Sequence, residues 1–99
     1  MSAKAHAHWA MSLTRRGLLQ EAEKHYAEAL RINPEDADVH NNLGVTLFGR
    51  GQYQEAMYHY SEALRIRPEY GDAKKNLTSL LSIMGQVPRE QSAGEISPP

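Results

Sequence analysis

The chain has 99 residues, 40% hydrophobic and 23% charged, and its 11 basic and 12 acidic side chains leave a formal net charge of -1. That balance argues against the basic surplus of a nucleic-acid-binding face and against general attraction to anionic membranes, while the absence of cysteine excludes disulfides, thiolate nucleophiles and cysteine-ligated zinc. No stretch reaches the ~18–20 apolar residues that span a bilayer, and residues 1–9 lack the apolar run of a signal peptide, so a cytoplasmic chain is expected.

In chain order, a first helical stretch leads to Gly17, where a residue free to take positive φ ends a helix cheaply. A second runs toward Pro34, which lacks an amide hydrogen and biases the residue before it away from helix. Asp36 and Asp38 then supply negative groups at the start of a third helix. In that helix Val39, Leu43, Thr46 and Leu47 fall at helical spacing up to Gly51. A fourth opens at Gln52, and Tyr53, Ala56, Met57, Tyr60, Ala63 and Leu64 form one apolar stripe before Pro68. A fifth begins at Gly71, and its Ala73, Leu77, Leu80, Leu81 and Met84 are expected to lie on the preceding helices while Lys74, Lys75, Thr78 and Ser82 face water. Nothing alternates with period two over a useful length, so strands fit poorly. Residues 86–99, polar and rich in Pro and Gly, have no period and are expected to form a disordered tail.

The helices come in pairs that repeat. The run from His25 to Glu35 returns from His59 to Glu69, 34 positions later, with Tyr26, Ala29, Leu30, Arg31, Ile32 and Pro34 answered by Tyr60, Ala63, Leu64, Arg65, Ile66 and Pro68. About half of the positions are identical between 3–36 and 37–70. A third, partial copy spans 71–85, with Gly85 falling 34 positions after Gly51. A stacked array is the architecture that such a period implies.

These residues resemble the tetratricopeptide repeat, whose 34-residue unit carries small residues, an aromatic and a closing proline at fixed places. Ala10, Ala22, Tyr26, Ala29 and Pro34 meet that pattern in unit one, and Gly44, Ala56, Tyr60, Ala63 and Pro68 meet it in unit two. The fourth position, often Trp in the family, is His6 and His40 here. The resemblance implies an all-α fold, an α-α superhelix of two helix-turn-helix units over 3–36 and 37–70 and a capping helix over 71–85. The domain then spans residues 1–85. Small residues permit close helix crossings, and the two tyrosine rings fill the wider space between neighbours.

In this family the first helix of each pair lines a concave groove, so the resemblance implies a module that holds a protein or peptide partner there. The groove positions map to Lys4, Ala7, His8, Met11, Thr14 and Arg15, then to Asp38, Asn41, Asn42, Val45 and Phe48, and then to Asp72, Lys75, Asn76, Ser79 and Ile83. Of these, His8, Met11, Arg15, Asn41, Asn42, Val45, Phe48, Lys75 and Asn76 are the candidate partner-binding residues. Phe48 stands off a core stripe that is complete without it. Asn42 and Asn76 share the sixth position of successive units, and an amide both donates and accepts toward a peptide backbone; the plain alternative is that Asn41, Asn42 and Asn76 are simply exposed polar residues. Chaperone-binding members clamp a C-terminal carboxylate with Lys, Asn and Arg; at the matching positions stand Ala7, Met11, Asn42, Asp72 and Asn76, and only Asn42 agrees. No such clamp is implied.

Catalysis, cofactors and metals find no footing. There is no phosphate-binding glycine loop, HExxH motif or recognisable nucleophile, and Glu21, Glu28, Glu55 and Glu62 recur with the repeat as structural residues do. His6 and His8 splay by roughly 200° on a helix. His25 and His59 stand one repeat apart, ~9–10 Å or more between packed helices, too far to share one ion. Two alternatives to groove binding stay open. One is self-association through the N-terminal helix, where no cap precedes His6 and where Trp9 and Met11 lie. The other is a substrate-recruiting arm of a larger enzyme, since some such arrays carry runs like Asn41-Asn42-Leu43-Gly44.

Overall fold

A computed structural model describes residues 1–86. The expected tail, save its first residue, lies outside them. Five helices follow in order: α1 Ala3–Arg15, α2 Leu19–Ile32, α3 Ala37–Gly49, α4 Tyr53–Ile66 and α5 Gly71–Gln86, with no strand among the described residues.

Local chemistry sets the ends. Ser2 Oγ accepts the Ala5 N–H at 3.1 Å, and Asp36 Oδ1 accepts the Val39 N–H at 3.2 Å, so each of these helices opens on a side-chain cap. Both turns inside the units close in the same way. Gly17 and Gly51 hold φ of 80° and 78°. Leu18 N–H reaches Leu13 C=O and Gln52 N–H reaches Leu47 C=O, each at 2.9 Å, which makes a Schellman ending. A side chain at either glycine would sit in the left-handed region that L-residues avoid. The fourth helix starts at Tyr53, with Gln52 only in the capping position and making no side-chain cap bond.

The pairs α1–α2 and α3–α4 pack as hairpins, α3 docks on α2, and α5 docks on α4. One continuous core runs through Ala10, Leu13, Ala22, Tyr26, Ala29, Val39, Leu43, Leu47, Ala56, Tyr60 and Leu80. Ala10, Ala22 and Ala56 are 0% exposed, and Tyr26 and Tyr60 are 1% exposed, so the small-plus-aromatic pattern reads directly into close crossings. Full burial of a side chain such as Leu47 or Leu80 stabilises by ~1.5–3 kcal/mol. A smaller cluster of Ala37, Ala63 and Ala73, with Leu64, Ile66 and Tyr70 against it, seals α5 to unit two.

Leu81 departs from expectation. It is 49% exposed, because it stands one repeat after Leu47, on the face that a following second helix covers inside a unit and that α4 does not reach. Ala73 and Leu80 bury as expected, while Leu77 and Met84 are half-buried against the core.

Candidate functional site

Curvature follows from which helices meet. The first helices of successive units touch, α1 with α3 and α3 with α5, whereas α2 and α4 do not touch. The array therefore bends with α1, α3 and α5 on its inner, concave side.

Polar side chains tie that inner surface together. Thr14 Oγ1 of α1 and Thr46 Oγ1 of α3 lie 3.1 Å apart, with the Ala10 and Asn42 carbonyls of their own helices at 2.9 and 3.2 Å; each hydroxyl carries one hydrogen, so one donates across to the other, which donates to its own carbonyl. Between α3 and α5, Asn76 Nδ2 donates to Asn41 Oδ1 at 3.0 Å. Thr46 is 0% and Asn41 5% exposed. A buried hydroxyl or amide left unpaired costs ~1–3 kcal/mol, so these bonds fix how far neighbouring first helices slide past one another.

Between α1 and α3 lies a hollow of about 160 Å³, lined by Met11, Thr14, Arg15, Tyr26, Asn42 and Val45. Four candidate residues thus meet in one place: Met11, Arg15, Asn42 and Val45. The chemistry is mixed, with a flexible thioether and a branched methyl pair beside an amide and a guanidinium. Arg15 is exposed and makes no ion pair among the described residues. Val45 is 40% exposed on the same surface.

The other candidates are placed differently. His8 is exposed on α1, outside the hollow. Lys75 is exposed on α5 beside Lys74, Thr78 and Ser79. Asn41 is buried with its amide oxygen already engaged, so it positions the surface rather than presenting a free group, and Asn76 spends an N–H on it. Neither is the plain exposed asparagine of the alternative reading. Phe48 is half-buried against the core, and its ring meets that of Tyr53 with centroids 5.5 Å apart. That contact accounts for an aromatic off the core stripe without any partner. Asp38 is also engaged: Tyr70 Oη–H donates to it at 2.8 Å and the Arg67 guanidinium lies against it. The Tyr70 hydrogen bond, with Arg67 behind it, holds the Asp38 carboxyl below the usual carboxylate range.

A larger hollow of about 640 Å³ opens at the α1–α2 turn, lined by Gly17, Leu18, Leu19, Gln20, Glu21, Lys24, Gly49 and Arg50. It marks the splay between turn ends, its lining mixes Leu18 and Leu19 with the charged Glu21, Lys24 and Arg50, and none of the candidate partner-binding residues falls in it. The inner hollow is the better candidate despite its size.

The histidine rings meet across the hairpins, a pairing that neither neighbouring positions nor equal repeat positions suggest. The rings that meet are His6 with His25 and His40 with His59, each pair with its Nδ1 atoms 3.0 Å apart. The sequence carried the signal, because both pairs are 19 positions apart at the same two places of the repeat. Among the described residues no three His, Cys, Asp or Glu side chains gather as a metal site would need. No helix among them is long and apolar enough to cross a membrane.

Paired helices, a fixed period, small residues at crossings and a concave inner face define a helical-repeat solenoid. The family model described as tetratricopeptide repeat matches residues 1–69, and the chain belongs to that family. Such repeats typically serve as non-catalytic modules for protein–protein interaction. The fold is also that of MamA in its crystal structure, with a TM-score of 0.83 at 21% identity. The match covers 85% of this chain and 49% of that one, so this chain spans about half of MamA's length. Among curated proteins no sequence matches significantly.

Proposed function

We propose that this chain is a non-enzymatic scaffold that holds an extended peptide or helix of a partner protein on its concave face. The observation that carries the reading is the convergence of Met11, Arg15, Asn42 and Val45 around one hollow between α1 and α3. An apolar side chain of the partner enters between Met11 and Val45. The Asn42 amide takes up its backbone, and Arg15 favours an acidic neighbour. The test is retention of partner protein from source-cell lysate by the parent and by a chain carrying Arg15→Glu, Asn42→Ala and Val45→Asp, with helicity matched by circular dichroism. Loss with the variant supports the groove, and equal retention removes it.

One observation favours self-association as a second reading. Trp9 stands in unit one where Leu43 stands in unit two; Leu43 is 5% exposed inside the array, and Trp9 is 53% exposed. Its indole lies 5.8 Å from the His25 ring, leaving a broad apolar edge on α1. Sedimentation velocity of the parent against Trp9→Lys separates the readings: a dimer lost on substitution favours this one, and a monomer in both leaves the groove alone.

A further inference from the structure

The two histidine pairs have a chemistry that the groove does not use. In each unit Nδ1 of a ring on the first helix faces Nδ1 of a ring on the second at 3.0 Å, with ring centroids 5.2 Å apart. At that distance one nitrogen must donate and the other accept, so the contact holds one proton.

In unit two the roles are set by a third partner. His40 Nε2 lies 2.9 Å from the carbonyl oxygen of Pro34, so it carries the hydrogen and donates. In the neutral ring Nδ1 is then bare and accepts from His59 Nδ1–H. His40 is 6% exposed. A first added proton is tolerated: His40 becomes an imidazolium donating through both nitrogens, and His59 takes the Nε2–H form. A second proton is not. It sets two N–H donors and two positive charges against each other, one of them buried, and the rings must part.

The charged groups near these rings are carboxylates: Glu28 beside His6, Glu35 beside His40 and Glu62 beside His59. All three are already engaged, Glu28 by Arg31 and both Glu35 and Glu62 by Arg65. Trp9 against His25 and the Tyr58 edge against His59 add no charge. Glu62 still favours a proton on His59, but burial and the His40 charge together outweigh it.

We propose that the pairs His6–His25 and His40–His59 form a repeated acid-labile clasp, each fastening the two helices of its unit through one shared proton and opening when a second arrives. Opening the clasp of unit two also frees the Pro34 turn that joins the units. The direction with pH follows. Burial, and then His40, hold the His59 ring down to about 4, whereas an unfolded histidine titrates near ~6.5. The contribution of the His40–His59 clasp is complete above about pH 6.5 and is lost as pH falls from there toward about 4, because the unfolded chain binds more protons across that window.

The test compares urea unfolding of the parent with that of a His25→Asn, His59→Asn chain at pH 6.0 and 5.0. An asparagine amide donates to the facing Nδ1 but does not titrate. Between those pH values the unfolding constant of the parent should rise up to ~10-fold more than that of the variant, from the one extra proton that the unfolded chain binds at the His40–His59 pair. Parallel pH dependence would overturn the proposal. Imidazole nitrogen spectra of the folded parent decide independently, even where the variant does not fold. The expected result is His40 as the Nε2–H form and His59 as the Nδ1–H form at pH 7.5, with His59 still carrying a single proton at pH 5.5. Four rings all doubly protonated in the folded chain at pH 5.5 would show that no clasp exists.

Discussion

The ring of Tyr60 lies against the backbone of Gly44, so closely that a Cβ on Gly44 would stand 2.6 Å from Tyr60 Cε1 and 2.7 Å from Cδ1. Unit one builds the same crossing from Ala10 and Tyr26, both fully buried, which shows that a methyl fits once the helices are set for it. Gly44→Ala therefore forces α3 and α4 apart and should cost ~1–3 kcal/mol. Tyr60→Ala, which empties the same place, should cost ~3–5 kcal/mol. Urea unfolding followed by circular dichroism measures both; parental midpoints would mean that the ring does not wedge the crossing.

Gly51 at φ 78° closes the turn between α3 and α4, while Gly71 opens α5 with no positive φ and no atom near a would-be Cβ. Gly51→Ala should lower stability by ~1 kcal/mol, and Gly71→Ala should leave it unchanged or raise it slightly. Equal effects in thermal melts would contradict the turn geometry.

Asp38 anchors the joint between unit two and α5. Tyr70 donates to it, Arg67 sits beside it, and the guanidinium also lies 4.3 Å from the Tyr70 ring centroid. Because the folded carboxyl titrates below its unfolded value, its contribution is present at neutral pH and lost as pH falls through the folded value. The site is largely exposed, so Asp38→Asn should cost only ~0.5–1 kcal/mol at pH 7, a deficit that narrows in acid. The same contact, after burial, pushes the Tyr70 phenol up to about 12. In Asp38→Asn its ultraviolet titration should move down, and an unmoved titration would mean that the hydrogen bond is absent in solution.

Most of the fold was legible because the repeat states many of the core positions twice. Gly17 with Gly51, Tyr26 with Tyr60 and Ala22 with Ala56 each announce one structural need at one period, and the helices fall where those residues place them. Leu81 was misread because a helical stripe says which residues are apolar, not whether a neighbour exists to cover them. The site was harder. Spacing assigned Asn41 and Asn76 to one surface, but their mutual hydrogen bond depends on how α3 and α5 slide together, which no local pattern encodes. Phe48 looked unaccounted for because its partner, Tyr53, belongs to the next helix. Neither neighbouring histidines nor those at equal repeat positions make a site, and the pairs that do meet run across the hairpin, where only the packing of two helices brings them together.

The most direct test of the central claim is site-directed photocrosslinking in source-cell lysate, with a photoreactive residue in place of Val45 on the concave side or of Tyr58 on α4, 40% and 57% exposed respectively. Binding in the groove requires a partner protein joined from position 45 and not from position 58. Partner joined only from position 58, or only chain-to-chain products from either, would contradict it.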